Sequence, residues 1–288
     1  MGISAAGVIG RAWMTDIYYF SGTGNCLAVA KAVARHTGGR LISMASLAGQ
    51  GAIQLDSDVI GLVLPVYYSQ LPVAVKSFIA QLSDIKDRYV FAVCTFGGAA
   101  GRSLAQARRQ IARRGGSLSA AFAVPMPQNA FLKPKENRPR LFEHSEAAAR
   151  RIADCVQLRR KGTFYSNLLI EFMMLCMHPL ILRLCRKKFA QLSGLPAHAA
   201  FDALVQNSDR CFRANDACMR CGLCVKLCPV QNIRMADAGP EWLHRCTHCL
   251  ACYNGCPARA IEGDIAHKGY YYRHPDFKGA EIMGQQPQ

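Results

Sequence analysis

Acidic side chains are scarce in this sequence. Only 19 Asp and Glu stand against 35 Lys and Arg, giving a formal net charge of +16. A surface this basic suits nucleic acid, an anionic membrane or an acidic protein. No nucleic-acid motif accompanies the charge, so an acidic redox partner ranks first and a membrane second. No secretory leader opens the sequence: Met1–Trp13 has no basic start and only a broken apolar run. Gly2 is followed by Ala6 where a myristoylation site needs Ser or Thr. Residues 1–13 therefore read as a flexible extension, with Met14 as an alternative start. Unbroken apolar runs of about 18 residues, the length of a membrane span, are missing too. So are a Walker A loop and a G-x-G-x-x-G fingerprint, which argues against direct use of NAD(P)H.

Cysteine, by contrast, is abundant. Of 14 in 288 residues, eight fall into two runs, Cys218-x-x-Cys221-x-x-Cys224-x-x-x-Cys228-Pro229 and Cys246-x-x-Cys249-x-x-Cys252-x-x-x-Cys256-Pro257. Zinc sites pair cysteines two by two rather than as triplets followed by Cys-Pro. Disulfide frameworks belong to short secreted chains. Three thiolates at this spacing wrap one cube, and the fourth of each run serves the other cube. The spacing thus predicts two [4Fe–4S] clusters. One takes Cys218, Cys221, Cys224 and Cys256; the other takes Cys246, Cys249, Cys252 and Cys228. The six remaining thiols point to a reducing, anaerobic cytoplasm. Residues 211–267 resemble a bacterial two-cluster ferredoxin, with Ile233 and Ala260-Ile261 just after each Cys-Pro. The resemblance implies two pseudo-symmetric halves, each with a short strand and a helix.

Upstream, a strand at Asp16–Phe20 breaks at Ser21-Gly22-Thr23-Gly24-Asn25-Cys26 and runs into a helix reaching about His36. A strand, a Gly/Ser/Thr loop and a helix make an anion site, because loop N–H groups converge on the positive helix end. The loop resembles the phosphate loop of flavodoxins, except that Cys26 stands where a hydroxyl is usual. Further strands are expected at Arg40–Met44, Asp58–Leu64, Arg88–Thr95 and Leu118–Val124, with helices at Val73–Leu82 and Ser103–Arg114. This alternation predicts a doubly wound, five-stranded parallel sheet. In the flavodoxin order 2-1-3-4-5, ligands bind beyond the carboxyl ends of strands one and three. By resemblance, Ser21, Gly22, Thr23, Gly24, Asn25 and Cys26 would hold the phosphate of FMN. Pro65, Val66, Tyr67 and Tyr68, with Thr95, Phe96, Gly97 and Gly98, would flank its ring.

Between the two halves lies a different composition. Pro127, Pro134 and Pro139 interrupt a basic loop, Lys133 to Arg140, followed by a helix over Leu141–Lys161 whose Arg and Lys read as a solvated face. Phe164–Cys185 is apolar but carries Asn167, Glu171, His178, Pro179 and Arg183. Helices covering the junction of the two domains, or a subunit contact, are the first expectation. The rival is an interfacial membrane helix through 164–188, because Arg183, Arg186, Lys187 and Lys188 follow directly. Met173, Met174 and Met177 read as adaptable packing, and His178 as a core or surface residue.

The expected layout is therefore an extension (1–14), an FMN domain (15–125), a helical insert (126–205), a small α+β two-cluster ferredoxin domain (206–268) and a tail (269–288). Over residues 15–275 this order resembles anaerobic flavodoxin–ferredoxin fusion proteins, tail motif Tyr272-Arg273-His274-Pro275 included. The resemblance implies a cytoplasmic electron relay between two [4Fe–4S] clusters and FMN. The alternative is an FMN-dependent reductase of a small substrate, for which Tyr67, Tyr68 and His144 are the candidate proton donors.

Overall fold

A computed structural model describes residues 14–128, 138–164 and 168–277. The extension 1–13, with its Gly2, Ala6 and Met1 readings, most of the basic loop at 133–140 and the end of the tail lie outside the described residues.

A parallel sheet forms first in the chain. Its strands are β1 (Thr15–Tyr19), β2 (Arg40–Ser43), β3 (Val59–Pro65), β4 (Tyr89–Phe96), β5 (Leu118–Pro125) and β6 (Gly162–Phe164). They lie in the order β2-β1-β3-β4-β5-β6, every pair parallel. Every residue of β3 and β4 is buried, as expected for central parallel strands covered on both faces. The covering helices are α1 (Asn25–Thr37), α2 (Val73–Gln81), α3 (Ser103–Arg113) and α4 (Arg138–Gln157). Helices α1 and α4 touch each other, as do α2 and α3, which gives one pair to each face. The order reverses between β1 and β3, so the expected switch point is where the topology puts it.

The α/β body does not end at residue 125, and its sheet has six strands rather than five. Helix α4 buries Ser145, Ala148, Ala149, Ile152 and Val156, one stripe at helical spacing that lets it pack closely on α1. Its Arg140, Arg150 and Arg151 are exposed, as expected of a solvated face. Strand β6 then adds to the sheet edge, with Phe164 stacked on Phe122 at a centroid distance of 5.0 Å. Three residues are too few to show a strand pattern in the sequence.

Helix α5 (Leu168–Ser193) runs unbroken through Pro179, although an interior proline costs a helix about 3 kcal/mol. Of the residues read as interruptions, Glu171 is instead an anchor, and Asn167 lies outside the described residues. The Glu171 carboxylate accepts from the backbone N–H groups of Ala100 at 2.8 Å and Gly101 at 3.1 Å. Its last turns pack on α6 (Phe201–Asn207) around a fully buried Phe189. By length and composition α5 is long and apolar enough to cross a membrane, the one such helix among the described residues.

The C-terminal part is small. A two-residue strand β7 (Arg213–Ala214) pairs antiparallel with β10 (Ile261–Glu262), and β8 (Ile233–Ala236) with β9 (Gly239–Trp242). Helices α7 (Leu223–Leu227) and α8 (Ala251–Gly255) each carry the third cysteine of a triplet, Cys224 and Cys252. The halves repeat at a shift of 28 residues, Cys218 matching Cys246. Left-handed backbone recurs at matched positions: Arg220 and His248, Gly222 and Leu250, Gln231 and Arg259. The segment contains the two pseudo-equivalent halves that the cysteine spacing implies.

One close contact tests the sheet core. An added Cβ at Gly61 in β3 would lie 2.5 Å from the Phe91 ring of β4. Gly61→Ala should therefore lower stability by about 1–3 kcal/mol through overpacking, read as a lower urea midpoint at unchanged slope.

Candidate functional site

Three loops at the carboxyl ends of β1, β3 and β4 meet around a cavity of about 300 Å³, at the lower end of the size range for small-molecule sites. Of the fourteen residues expected to hold the flavin, thirteen line it: Ser21, Gly22, Thr23, Asn25, Cys26, Pro65, Val66, Tyr67, Tyr68, Thr95, Phe96, Gly97 and Gly98. Gly24 does not. It caps α1 in left-handed backbone at φ +98°, and a Cβ there would strike the side chains of Phe277 and His274.

The phosphate loop is buried and internally bonded. The Gly24 N–H donates to Ser21 Oγ at 3.0 Å, which leaves the Ser21 O–H to donate elsewhere. Asn25 donates through Nδ2 to the Pro127 carbonyl at 2.9 Å. Cys26 Sγ lies 3.1 Å from Thr95 Oγ1. Burial pushes the Cys26 thiol up to about 12, with the Thr95 hydrogen bond opposing, so it stays a neutral S–H rather than a reactive thiolate. Tyr67 and Tyr68 are likewise pushed well above the usual phenol range, first by burial and then by neighbouring cysteines. The residues fit a bound flavin: buried hydroxyls at Ser21 and Thr23, the N-terminus of α1 behind them, and an adjoining cavity with an aromatic wall.

Four parts of this site were not legible as such in the sequence. Met126, Pro127 and Gln128 follow β5, and the rule that ligands gather at carboxyl strand ends could have found them. Met174, Ile181 and Cys185 form one stripe of α5 and wall the cavity. Their spacing of seven and four marks one helix face. Met173 and Met177, by contrast, are exposed. His248, between two cysteines of the second run, also reaches the cavity. Finally, the tail closes over the loop. The His274 N–H donates to the Thr23 carbonyl at 2.8 Å, and the Tyr272 hydroxyl donates to Asn25 Oδ1 at 2.6 Å. Arg138 at the start of α4 donates to the Tyr270 hydroxyl at 2.9 Å and clasps that tail. His144, one of the candidate donors, lines a separate hollow between α4 and β5.

The cysteines gather in the two expected sets. Cys218, Cys221, Cys224 and Cys256 line one hollow. Cys246, Cys249, Cys252 and Cys228 act electrostatically on one another in the other. Burial pushes the Cys224 thiol up to about 11 and Cys249 to about 12, which disfavours bare thiolates there. Bonding to iron supplies the missing stabilisation of the deprotonated sulfur. Backbone N–H groups support the sulfurs in matched fashion: Asn232 donates to Cys228 Sγ at 3.1 Å and Ala260 to Cys256 Sγ at 3.3 Å. Such bonds tune cluster potential.

The two centres share a wall. A Cβ on Gly22 would lie 2.3 Å from the Cys249 carbonyl oxygen, so phosphate loop and cysteine loop touch backbone to backbone. Tyr68 Oη and His248 Nδ1 are 2.8 Å apart, and His248 Nε2 is 2.9 Å from Ser208 Oγ. Burial holds His248 down at about 3, so it is a neutral link. Both Tyr68 (φ 54°) and Ser69 (φ 60°) are left-handed, as are His248 and Leu250. Strained backbone of this kind clusters at ligand sites.

Comparison with known proteins agrees with this layout. Residues 217–261 match the family model described as a 4Fe-4S dicluster domain. The methylamine utilization ferredoxin-type protein MauM of Methylorubrum extorquens is 33% identical over 82 residues, 24% of this chain and 36% of that protein. The chain thus spans about a third of the length of that curated relative. Among solved structures, a WrbA-like flavodoxin from Agrobacterium tumefaciens covers 51% of this chain and 99% of its own (16% identity, TM-score 0.36). The two-electron reduced flavodoxin of Megasphaera elsdenii covers 47% and 98% (22% identity, TM-score 0.32). The strand order carries the fold assignment without them. This chain joins an α/β domain in the flavodoxin-like strand order to a segment that matches a 4Fe-4S dicluster domain.

Gly22→Ala tests the shared wall. The added methyl has no room, and a strain of 1–3 kcal/mol should weaken FMN retention about tenfold, measured by fluorescence titration of the flavin-stripped protein. Ser117→Ala, at an exposed position just before β5 and away from the cavity, should leave it unchanged.

Proposed function

We propose that this protein is an electron relay carrying two [4Fe–4S] clusters and one FMN in a single chain, exchanging electrons with an acidic redox partner. The observation that carries this reading is the backbone contact of the phosphate loop with the cysteine loop, Gly22 on Cys249. When bound, the clusters move single electrons and the flavin takes one or two, which couples one- and two-electron chemistry.

The chain's own residues provide the rest. Cys246, Cys249, Cys252 and Cys228 seat one cluster against the flavin cavity, while Cys218, Cys221, Cys224 and Cys256 seat the other further out. Cys221 is exposed and Cys249 is buried, so the outer set is the entry point for a partner and the inner set faces the flavin. Tyr68 and His248 close the wall between them and exclude water. Gly97 and Gly98 after β4 line the cavity and would present backbone to the polar edge of the flavin. A basic surface steers an acidic donor or acceptor protein.

A second reading is an FMN-dependent reductase of a small substrate. Tyr68 favours it, since its hydroxyl lies on the cavity wall. Reduction of many molecules of a candidate small acceptor per protein under a continuous electron supply would favour the reductase; transfer only to a partner protein would favour the relay.

Iron counting tests the relay. Protein purified without oxygen should carry about eight irons per chain and one FMN. Cys256→Ser should drop the iron to about four while the flavin stays bound. Clusters without flavin would sink the FMN assignment.

A further inference from the structure

Helix α5 has its polarity inside out. Its polar residues Glu171 and His178 are buried at 8% and 4% exposure, whereas Leu168, Leu169, Phe172 and Leu184 stand at 60% or more. Nine of the fourteen large apolar side chains exposed among the described residues lie on this one helix, far more than a scattering needing no explanation.

We propose that α5 docks the protein onto the surface of an anionic lipid bilayer, lying in the interface plane rather than crossing it. The outward stripe from Leu168 to Leu184 extends about 24 Å at helical rise. It runs directly into cations: Leu180, Arg183, Leu184 and Lys187 share one face at helical spacing, and Arg183 and Lys187 are exposed. Apolar residues ending in basic ones suit the boundary between acyl chains and anionic headgroups.

Crossing is opposed by the underside. Glu171 accepts two backbone hydrogen bonds from the loop after β4, and Met174, Ile181 and Cys185 wall the cavity. A spanning helix would tear Glu171 from these donors and carry it into lipid, which is expensive. A second copy of the chain is a poorer occupant. The only acidic residue of α5 is Glu171, which is turned inward, so a facing α5 offers no anion to Arg183 and Lys187. The net charge of +16 adds to the repulsion and favours a negative surface instead. This inference stands apart from the electron relay, since it uses none of the cofactor ligands.

The test is co-sedimentation of the cofactor-loaded protein with vesicles of three parts phosphatidylcholine to one part phosphatidylglycerol, and with phosphatidylcholine alone. Pelleting is expected with the anionic vesicles and should weaken with salt. Leu169→Ser with Phe172→Ser should reduce it at least about tenfold; Arg183→Gln with Lys187→Gln should reduce it about tenfold. These positions are exposed, and unchanged iron–sulfur absorbance would confirm that the variants fold. A protein that stays in the supernatant with anionic vesicles overturns the proposal. So does a serine variant that pellets as well as the parent. A lipid-free dimer that the serine pair converts to monomer, with no pelleting by either, would assign the face to a second copy.

Discussion

A single backbone contact governs how the two halves of this chain can work together. Gly22 sits against the Cys249 carbonyl with no space for a methyl group. The flavodoxin-like loop and the cysteine loop are thus held at the closest approach two backbones allow. Either loop could have formed alone on its own scaffold. What the contact adds is a fixed relation between them, reinforced by the Tyr68–His248–Ser208 chain. Tyr68 and Ser69 beside it are left-handed, at roughly 1–2 kcal/mol for each such residue. Packing on both sides holds that strain in place.

Helix α5 answers a related problem. A cavity at the edge of an open sheet needs a lid, and the ferredoxin-type half covers only part of it. The inward stripe of α5 supplies the missing wall, and the buried carboxylate of Glu171 holds it down through N–H donors that would otherwise face apolar surroundings. Hydrogen bonds to a charged group are among the stronger stabilising contacts, at about 1.5–3 kcal/mol each. With Glu171 and His178 turned inward, the outward side chains as far as Leu180 are apolar, and the cations begin only at Arg183. The inverted polarity thus follows from the helix serving the cavity.

Much of this was legible in the sequence because the chemistry is local there. The cysteine runs, Ser21 to Cys26, and the apolar strands β3 and β4 each declare themselves within a few residues, and the strand order then brings thirteen flavin-site residues together. What escaped was non-local. Strand β6 is too short to carry a period, so the sheet read as five-stranded and the α/β body as ending near residue 125. Glu171 looked like a break in α5 because its partners, the N–H groups of Ala100 and Gly101 in the loop after β4, lie some seventy residues away. His248 was hidden by its neighbours, since a residue between two cluster cysteines reads as spacer. The clasp of Tyr272 on Asn25 joins residues 247 apart, and no local pattern announces such a pairing.

That clasp carries a temporal consequence. Asn25 belongs to the first loop of the α/β domain, and it is closed by a segment that a ribosome makes only after both cysteine runs. The Tyr272 N–H is itself held by Asn254 of α8 at 2.8 Å, so the closing segment is seated only once the second cysteine helix has formed. Sequence-distant closures of this kind come late, because their loop entropy is lost before their contacts form. The loop after β1 is therefore among the first parts of the fold to be synthesised and among the last to be finished.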